Sequence, residues 1–102
     1  MHEIVADLDA RGVPLFAITN FSAEFWPPFY ETERAFFSRF RGIVVSGEVK
    51  LLKPDPAIYF LALDRFGLNP REALFVDDRQ INVDAAVDAE DFRARLEAER
   101  LL

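Results

Sequence analysis

Short apolar runs alternate along the chain with longer segments in which apolar residues recur at helical spacing. The apolar runs are 15–18, 43–45 and 73–76, and they end in the polar pairs Thr19-Asn20, Ser46-Gly47 and Asp77-Asp78. Each run has the length of a buried strand. Because the runs alternate with helical segments, the pattern predicts an α/β fold with a parallel sheet.

Helices are predicted before and between the first two strands. Residues 3–11 have apolar positions at helical spacing, and Gly12 should end that helix. The stretch 21–40 holds eight aromatic residues, and Pro27-Pro28 should break it. We therefore expect the next helix only at about 31–40.

The second half of the chain is predicted to be mainly helical. A helix should begin at Pro56 after an Asp55 N-cap and end at Gly67. Its apolar face is predicted to contain Ile58, Leu61, Ala62 and Phe66. After Asp78 the pattern is again helical, and Asp88 with Asp91 favours a separate tail helix over about 89–102.

Composition narrows the class of protein. The chain has 102 residues, of which 51% are hydrophobic, and this predicts a single domain with a buried core. Its formal net charge of −6 argues against nucleic-acid binding, which needs Lys and Arg. It has no cysteine, which excludes disulfides and zinc–thiolate sites. No apolar run approaches the roughly 20 residues of a membrane span. We therefore expect a cytoplasmic protein that does not bind membranes.

The polar strand ends are the main sign of a site, because ligands of parallel sheets bind beyond the carboxyl ends of the strands. The adjacent carboxylates of Asp77 and Asp78 suit Mg²⁺, although a solvated turn that caps the next helix is an alternative. Lys53 could neutralise an anionic substrate or could be an ordinary solvated lysine. Thr19 and Asn20 precede a possible helix N-terminus, which would suit phosphate, or they could simply cap that helix.

Taken together, these residues resemble a known family. An apolar strand with Thr19-Asn20, then Lys53-Pro54-Asp55-Pro56, then a strand with Asp77-Asp78 is similar to motifs two, three and four of the haloacid dehalogenase-like hydrolases. Two longer runs are more specific than any single residue: GEVKLLKPDPAIY at 47–59 and LFVDDRQINVDAA at 74–86. The resemblance covers residues 3–86.

The resemblance implies a partial Rossmann-like core of three layers, α/β/α, and Mg²⁺-dependent hydrolysis of a small phosphorylated metabolite through an aspartyl-phosphate. Thr19 would bind the phosphate with Asn20 beside it, and Lys53 would pair with the nucleophile and the phosphate. Asp77 and Asp78 would hold Mg²⁺, and Asn82 would orient their loop. The paired carboxylates resemble the phosphatase branches, so a metal-free 2-haloacid dehalogenase is a disfavoured alternative.

The family's first motif, which carries the nucleophile after an apolar strand, is not expected in this chain. Residues 4–9, Ile-Val-Ala-Asp-Leu-Asp, imitate it. From Asp7 to Thr19, however, there are only 12 residues, and no crossover helix fits before the strand at Leu15. Asp7 and Asp9 should instead face water on a helix. The family's cap and last strand are not expected in this chain either.

Two interpretations follow from the missing motif. In the first, the chain is a piece of a phosphatase-type hydrolase from a truncated or split gene, and it is inactive alone. In the second, it is a non-catalytic interaction module or a decayed remnant. The family's central strand would lie between the strands at 15–18 and 74–77. Without it, we expect these strands to pair directly, to recruit a second copy or a complementing chain, or to pack loosely.

Overall fold

The computed structural model describes residues 2–100, and the side chains of residues 2–96. The elements in chain order are α1 (His2–Ala10), β1 (Phe16–Thr19), α2 (Trp26–Thr32), α3 (Arg34–Phe37), β2 (Gly42–Val45), α4 (Ser46–Val49), α5 (Pro56–Phe66) and α6 (Gln80–Arg100). Residue contacts divide the chain between Lys50 and Leu51 into two compact units. Among the described residues, no helix is long and apolar enough to cross a membrane.

The first two predicted strands are confirmed, and they pair in parallel. Phe16 lies beside Gly42 and Thr19 beside Val45, so the pairing is in register over four residues. Val44 and Val45 are fully buried, whereas β1 is half-buried along its length. The expected α/β fold with a parallel sheet is therefore confirmed, and the sheet of the described residues has two strands.

The rings of the aromatic stretch contact one another in the unit that ends at Lys50, and Trp26 is the buried member of this cluster. Phe21 stacks on Phe29, and the Trp26 ring meets Phe37 edge to face. Trp26 is only 8% exposed. The expectation that Pro27-Pro28 breaks the helix is wrong, because both prolines lie in the first turn of α2. The first backbone N–H groups of a helix have no partner within the helix, so proline loses nothing there.

In the unit that begins at Leu51, α5 has the ends that were predicted. Asp55 accepts a hydrogen bond of 2.9 Å from the backbone N–H of Ala57, and Pro56 opens the helix. Gly67 ends it in the left-handed conformation with φ of 63°. The buried face differs in part from the prediction, since Ile58 and Ala62 are buried together with Tyr59 and Leu63.

The predicted strand at 74–77 is not present. Residues 73–77 have no regular secondary structure, and Leu74 is 90% exposed. Exposure still alternates along this segment, with Phe75 and Asp77 half-buried and Leu74 and Val76 facing solvent. A strand requires hydrogen bonds to a neighbour, and no described residue supplies a backbone partner for residues 73–76.

The separate tail helix predicted over about 89–102 is also wrong within the described residues, because α6 continues from Gln80 to Arg100. Asp88 and Asp91 lie on its exposed side, where they do not interrupt the helix. Ala86 and Ala89 are buried at helical spacing and keep one face of α6 in contact with its unit. Leu101, which was assigned to the tail helix, lies outside the described residues.

Replacing Asp55 with Ala is expected to lower the free energy of unfolding by about 1 kcal/mol, because the N-cap carboxylate would no longer bond the Ala57 N–H. Asp55→Asn is the matched control, since an amide oxygen caps a helix about as well. Urea denaturation followed by circular dichroism would measure both. Equal stability of wild type and Asp55→Ala would contradict the prediction.

Candidate functional site

A partly buried ion pair lies at the centre of the candidate site. The Lys53 Nζ atom is 2.9 Å from the Asp77 Oδ2 atom, and the two side chains are 13% and 8% exposed. Lys53 lies just before the N-cap of α5, and Asp77 lies between residues 73–76 and α6. The structure therefore brings together two candidate residues that are 24 positions apart in the sequence.

Two further groups hydrogen-bond the Asp77 carboxylate. The backbone N–H of Arg79 donates to Oδ1 at 2.9 Å, and Asn82 Nδ2 donates to Oδ2 at 3.2 Å. Burial raises the pKa of Asp77, but the hydrogen bonds from Lys53, Arg79 and Asn82 and the Lys53 charge outweigh burial and hold the pKa below its usual value. Asp77 is therefore a fixed, ionised carboxylate at neutral pH.

Asn82 connects this carboxylate to the first turn of α6. Its side chain is 3% exposed, and its Oδ1 is buried without a hydrogen-bond partner among the described residues. A buried acceptor that lacks a donor is costly.

Tyr59 is a part of the site that the sequence did not reveal. Its hydroxyl donates to the backbone carbonyl of Asn82 at 3.1 Å, and its ring meets Phe75 edge to face. Burial, with a smaller contribution from the Asp77 charge, raises the pKa of Tyr59 to about 12. In the sequence, the only sign of this role is a tyrosine on the otherwise apolar face of α5. The predicted apolar face does not include Tyr59.

Asp78 completes the pair of carboxylates but is in a different environment. Its side chain is exposed and has no hydrogen bond to another described residue. The expectation that Asp77-Asp78 ends a strand is wrong, because residues 73–77 form none. Asp78 instead follows an irregular segment and lies just before α6.

The oxygen donors present fit Mg²⁺ as part of a site. Three donors already bond Asp77, which leaves it one acceptor position, and the Asp78 oxygens are open to solvent. Mg²⁺ keeps several waters and is usually bound by one or two carboxylates together with substrate phosphate. Among the side chains of residues 2–96, no group of three or more His, Cys, Asp or Glu residues could hold a metal by itself.

Thr19 and Asn20 lie in the other compact unit, where Thr19 is the last residue of β1. Thr19 is half-buried and Asn20 is exposed. The expected helix N-terminus directly after them is wrong, because α2 begins only at Trp26. The phosphate-binding role of this pair remains a prediction based on its hydroxyl and amide groups and on the resemblance.

The segment at 4–9, which resembles the first motif, lies on a helix, as predicted. Asp7 and Asp9 lie on α1, and both are exposed. Arg11 Nε lies 3.1 Å from the Asp7 carboxylate, and Arg39 Nη1 lies 3.3 Å from that of Asp9. Neither aspartate follows a strand, so neither has the setting of the family's nucleophile.

Comparison with known proteins agrees with the resemblance. The sequence profile of the family described as haloacid dehalogenase-like hydrolase matches residues 1–90. A phosphoglycolate phosphatase of Yersinia pseudotuberculosis is 37% identical over 82 residues, which are 80% of this chain and 35% of that protein. The phosphoglycolate phosphatase of Escherichia coli is 32% identical over 80 residues, 78% of this chain and 31% of that protein.

The chain therefore spans about a third of the length of these relatives. No solved structure matches it.

Replacing Lys53 with Met is expected to raise the pKa of Asp77. Burial disfavours the charged carboxylate, and the lysine would no longer offset this effect. In wild type, ionised Asp77 stabilises the fold fully above the unfolded carboxyl pKa of about 3.9. That contribution is lost as the pH falls through the lower folded pKa. A carboxyl ¹³C titration by NMR would measure the pKa in each protein.

Lys50→Met is the matched control, since it removes the other lysine of the chain. An Asp77 pKa that does not change in Lys53→Met, or that changes equally in Lys50→Met, would disprove this account of the shift.

Proposed function

This chain belongs to the haloacid dehalogenase-like hydrolase family, and we propose that it contributes to the hydrolysis of phosphate monoesters. The observation that carries the proposal is the partly buried contact between Lys53 and Asp77, with Asn82 bonded to the same carboxylate. A fixed ammonium beside an ordered carboxylate suits a phosphate dianion and a divalent cation together.

Each residue has a chemical role in this proposal. Lys53 attracts the phosphate and the attacking carboxylate, and Thr19 with Asn20 binds phosphate oxygens. Asp77 and Asp78 would hold Mg²⁺, which would supply positive charge to the phosphate when bound. Asn82 keeps the Asp77 carboxylate oriented through its Nδ2 hydrogen bond.

The reaction also needs a carboxylate nucleophile, and we propose that it lies outside the described residues. One oxygen of that carboxylate attacks phosphorus, the ester P–O bond breaks, and the departing oxygen takes a proton from water to leave as the alcohol. Water then hydrolyses the aspartyl-phosphate to release inorganic phosphate and regenerate the carboxylate. The ion-paired positions of Asp7 and Asp9 on α1 argue against either of them as this nucleophile.

The purified chain with Mg²⁺ is expected to hydrolyse phosphoglycolate, the ester named in its relatives, no faster than its Asp77→Asn variant. Covalent catalysis cannot proceed without a nucleophile, so both rates should equal the rate without protein. Release of inorganic phosphate would measure them. Mg²⁺-dependent turnover that Asp77→Asn abolishes would show that a nucleophile within the chain had been overlooked.

A separate observation supports a role of this chain in self-association. Leu74 is 90% and Val76 is 55% exposed, on one side of a segment whose backbone has no partner among the described residues. Unpaired apolar segments with alternating exposure tend to pair with other chains. We propose that two copies associate through residues 73–76, and this proposal is compatible with either a catalytic or a non-catalytic assembly.

Leu74→Lys is expected to weaken self-association by at least about tenfold, because a charge would replace the most exposed large apolar side chain of the described residues. Val87→Lys is the matched control, since Val87 is 48% exposed on α6 and lies outside the segment. Light scattering and sedimentation over a dilution series would give the dissociation constants. A wild-type monomer at high micromolar concentration would rule the proposal out.

A further inference from the structure

Ser46 binds the backbone of the loop that follows β1. Its hydroxyl accepts a hydrogen bond of 2.8 Å from the Phe21 N–H and donates one of 3.2 Å to the Phe21 carbonyl. The Gly47 N–H donates to the same carbonyl at 2.9 Å. Ser46 is only 3% exposed, so these bonds are shielded from water. Both polar groups of the Phe21 backbone are therefore held by the residues that follow β2.

The contact at Gly47 is too close for any side chain. A Cβ atom at this position would lie 2.3 Å from the Ala23 nitrogen and 2.7 Å from the Phe21 carbonyl oxygen. Both are backbone atoms, so relief would require the loop itself to move. In the sequence, Ser46-Gly47 is recognisable only as a polar strand end, and the function proposed above does not use it.

Phe21 is also held through its side chain. Its ring stacks on Phe29 with 4.7 Å between centroids and meets Trp26 edge to face at 5.7 Å. On the other side of the loop, Thr19 is fixed by its register with Val45. The Thr19-Asn20 pair therefore lies between two anchored positions, one in the sheet and one at Phe21.

We infer that Ser46 and Gly47 are positioning residues, which hold Thr19 and Asn20 in the geometry that binds phosphate oxygens. This inference rests on the phosphate role proposed for Thr19-Asn20. The physical reason is that a hydroxyl and an amide select an oxyanion only when their positions are fixed in advance. Ser46 does this by satisfying a donor and an acceptor of one residue, and Gly47 does it by allowing the close approach.

The test uses the full ¹⁵N-labelled chain with inorganic phosphate as the probe. In Ser46→Ala, the Phe21 amide should exchange with solvent at least about tenfold faster, because it loses its acceptor. Phosphate should bind at least about tenfold more weakly, as followed by the amide shifts of Thr19 and Asn20. Amides of Ile18 and Val44 should keep their wild-type exchange, which shows that the sheet remains folded.

Gly47→Ala is the second variant and tests the close approach without removing a hydroxyl. It should move the Thr19 and Asn20 amide resonances and weaken phosphate binding by a similar factor. Ser38→Ala is the matched control, because it removes an exposed hydroxyl elsewhere in the same unit and should leave both measurements unchanged.

Two results would overturn the inference. Wild-type phosphate affinity in both variants would show that Ser46 and Gly47 stabilise the loop without positioning the ligand. An unchanged Phe21 exchange rate in Ser46→Ala would show that the hydroxyl does not hold the loop at all. If phosphate fails to shift any wild-type amide, the proposed function itself is refuted, and that result is distinct from the first two.

Discussion

The Asp77 carboxylate is nearly buried, and a buried charge is tolerated only where positive charge or N–H groups replace the water it has lost. Lys53 and Asn82 each supply a donor, as does the backbone of Arg79. Because these donors come from the segment before α5 and from the start of α6, one charge constrains several parts of the unit at once. Removing any donor leaves the same carboxylate under-solvated, so the contacts depend on one another.

Tyr59 connects the contacts around Asp77 to the packing of the helices. Its hydroxyl binds the Asn82 carbonyl while its ring packs on Phe75, which precedes Asp77 by two positions. The phenol thus joins α5, the irregular segment and α6 through a single buried side chain. Its raised pKa keeps it a neutral donor under ordinary conditions, so this connection does not change with pH where the protein would function.

The sequence predicted local features well and contacts between distant residues poorly. The Asp55 cap and the Gly67 stop depend on neighbouring residues, and both are present. The runs at 15–18 and 74–76 have similar composition, yet only the first forms a strand, because β2 pairs with it and no described strand pairs with the second. The pattern of apolar residues indicates which segments tend to be buried. A strand also requires a neighbouring strand with which its backbone can form hydrogen bonds.

The candidate site residues also differ in how far the sequence predicts them. Lys53, Asp77 and Asn82 were named from a motif resemblance, and the structure brings them into contact. Tyr59 was missed because its partner is 23 positions away and its hydroxyl interrupts an otherwise apolar face. The spacing of apolar and polar residues does not predict such a contact, because neither residue is unusual among its neighbours in the sequence.

The two units place their candidate residues by the same physical means. In one, Ser46 satisfies the backbone of Phe21 beside Thr19-Asn20, and in the other, Asn82 and Lys53 satisfy the carboxylate of Asp77. In both cases a buried polar side chain fixes an irregular loop that lacks strand pairing of its own. Buried hydrogen bonds stabilise modestly when made, but losing one partner leaves the other unsolvated. Geometry at these loops therefore depends more on the buried anchors than on the exposed groups they present.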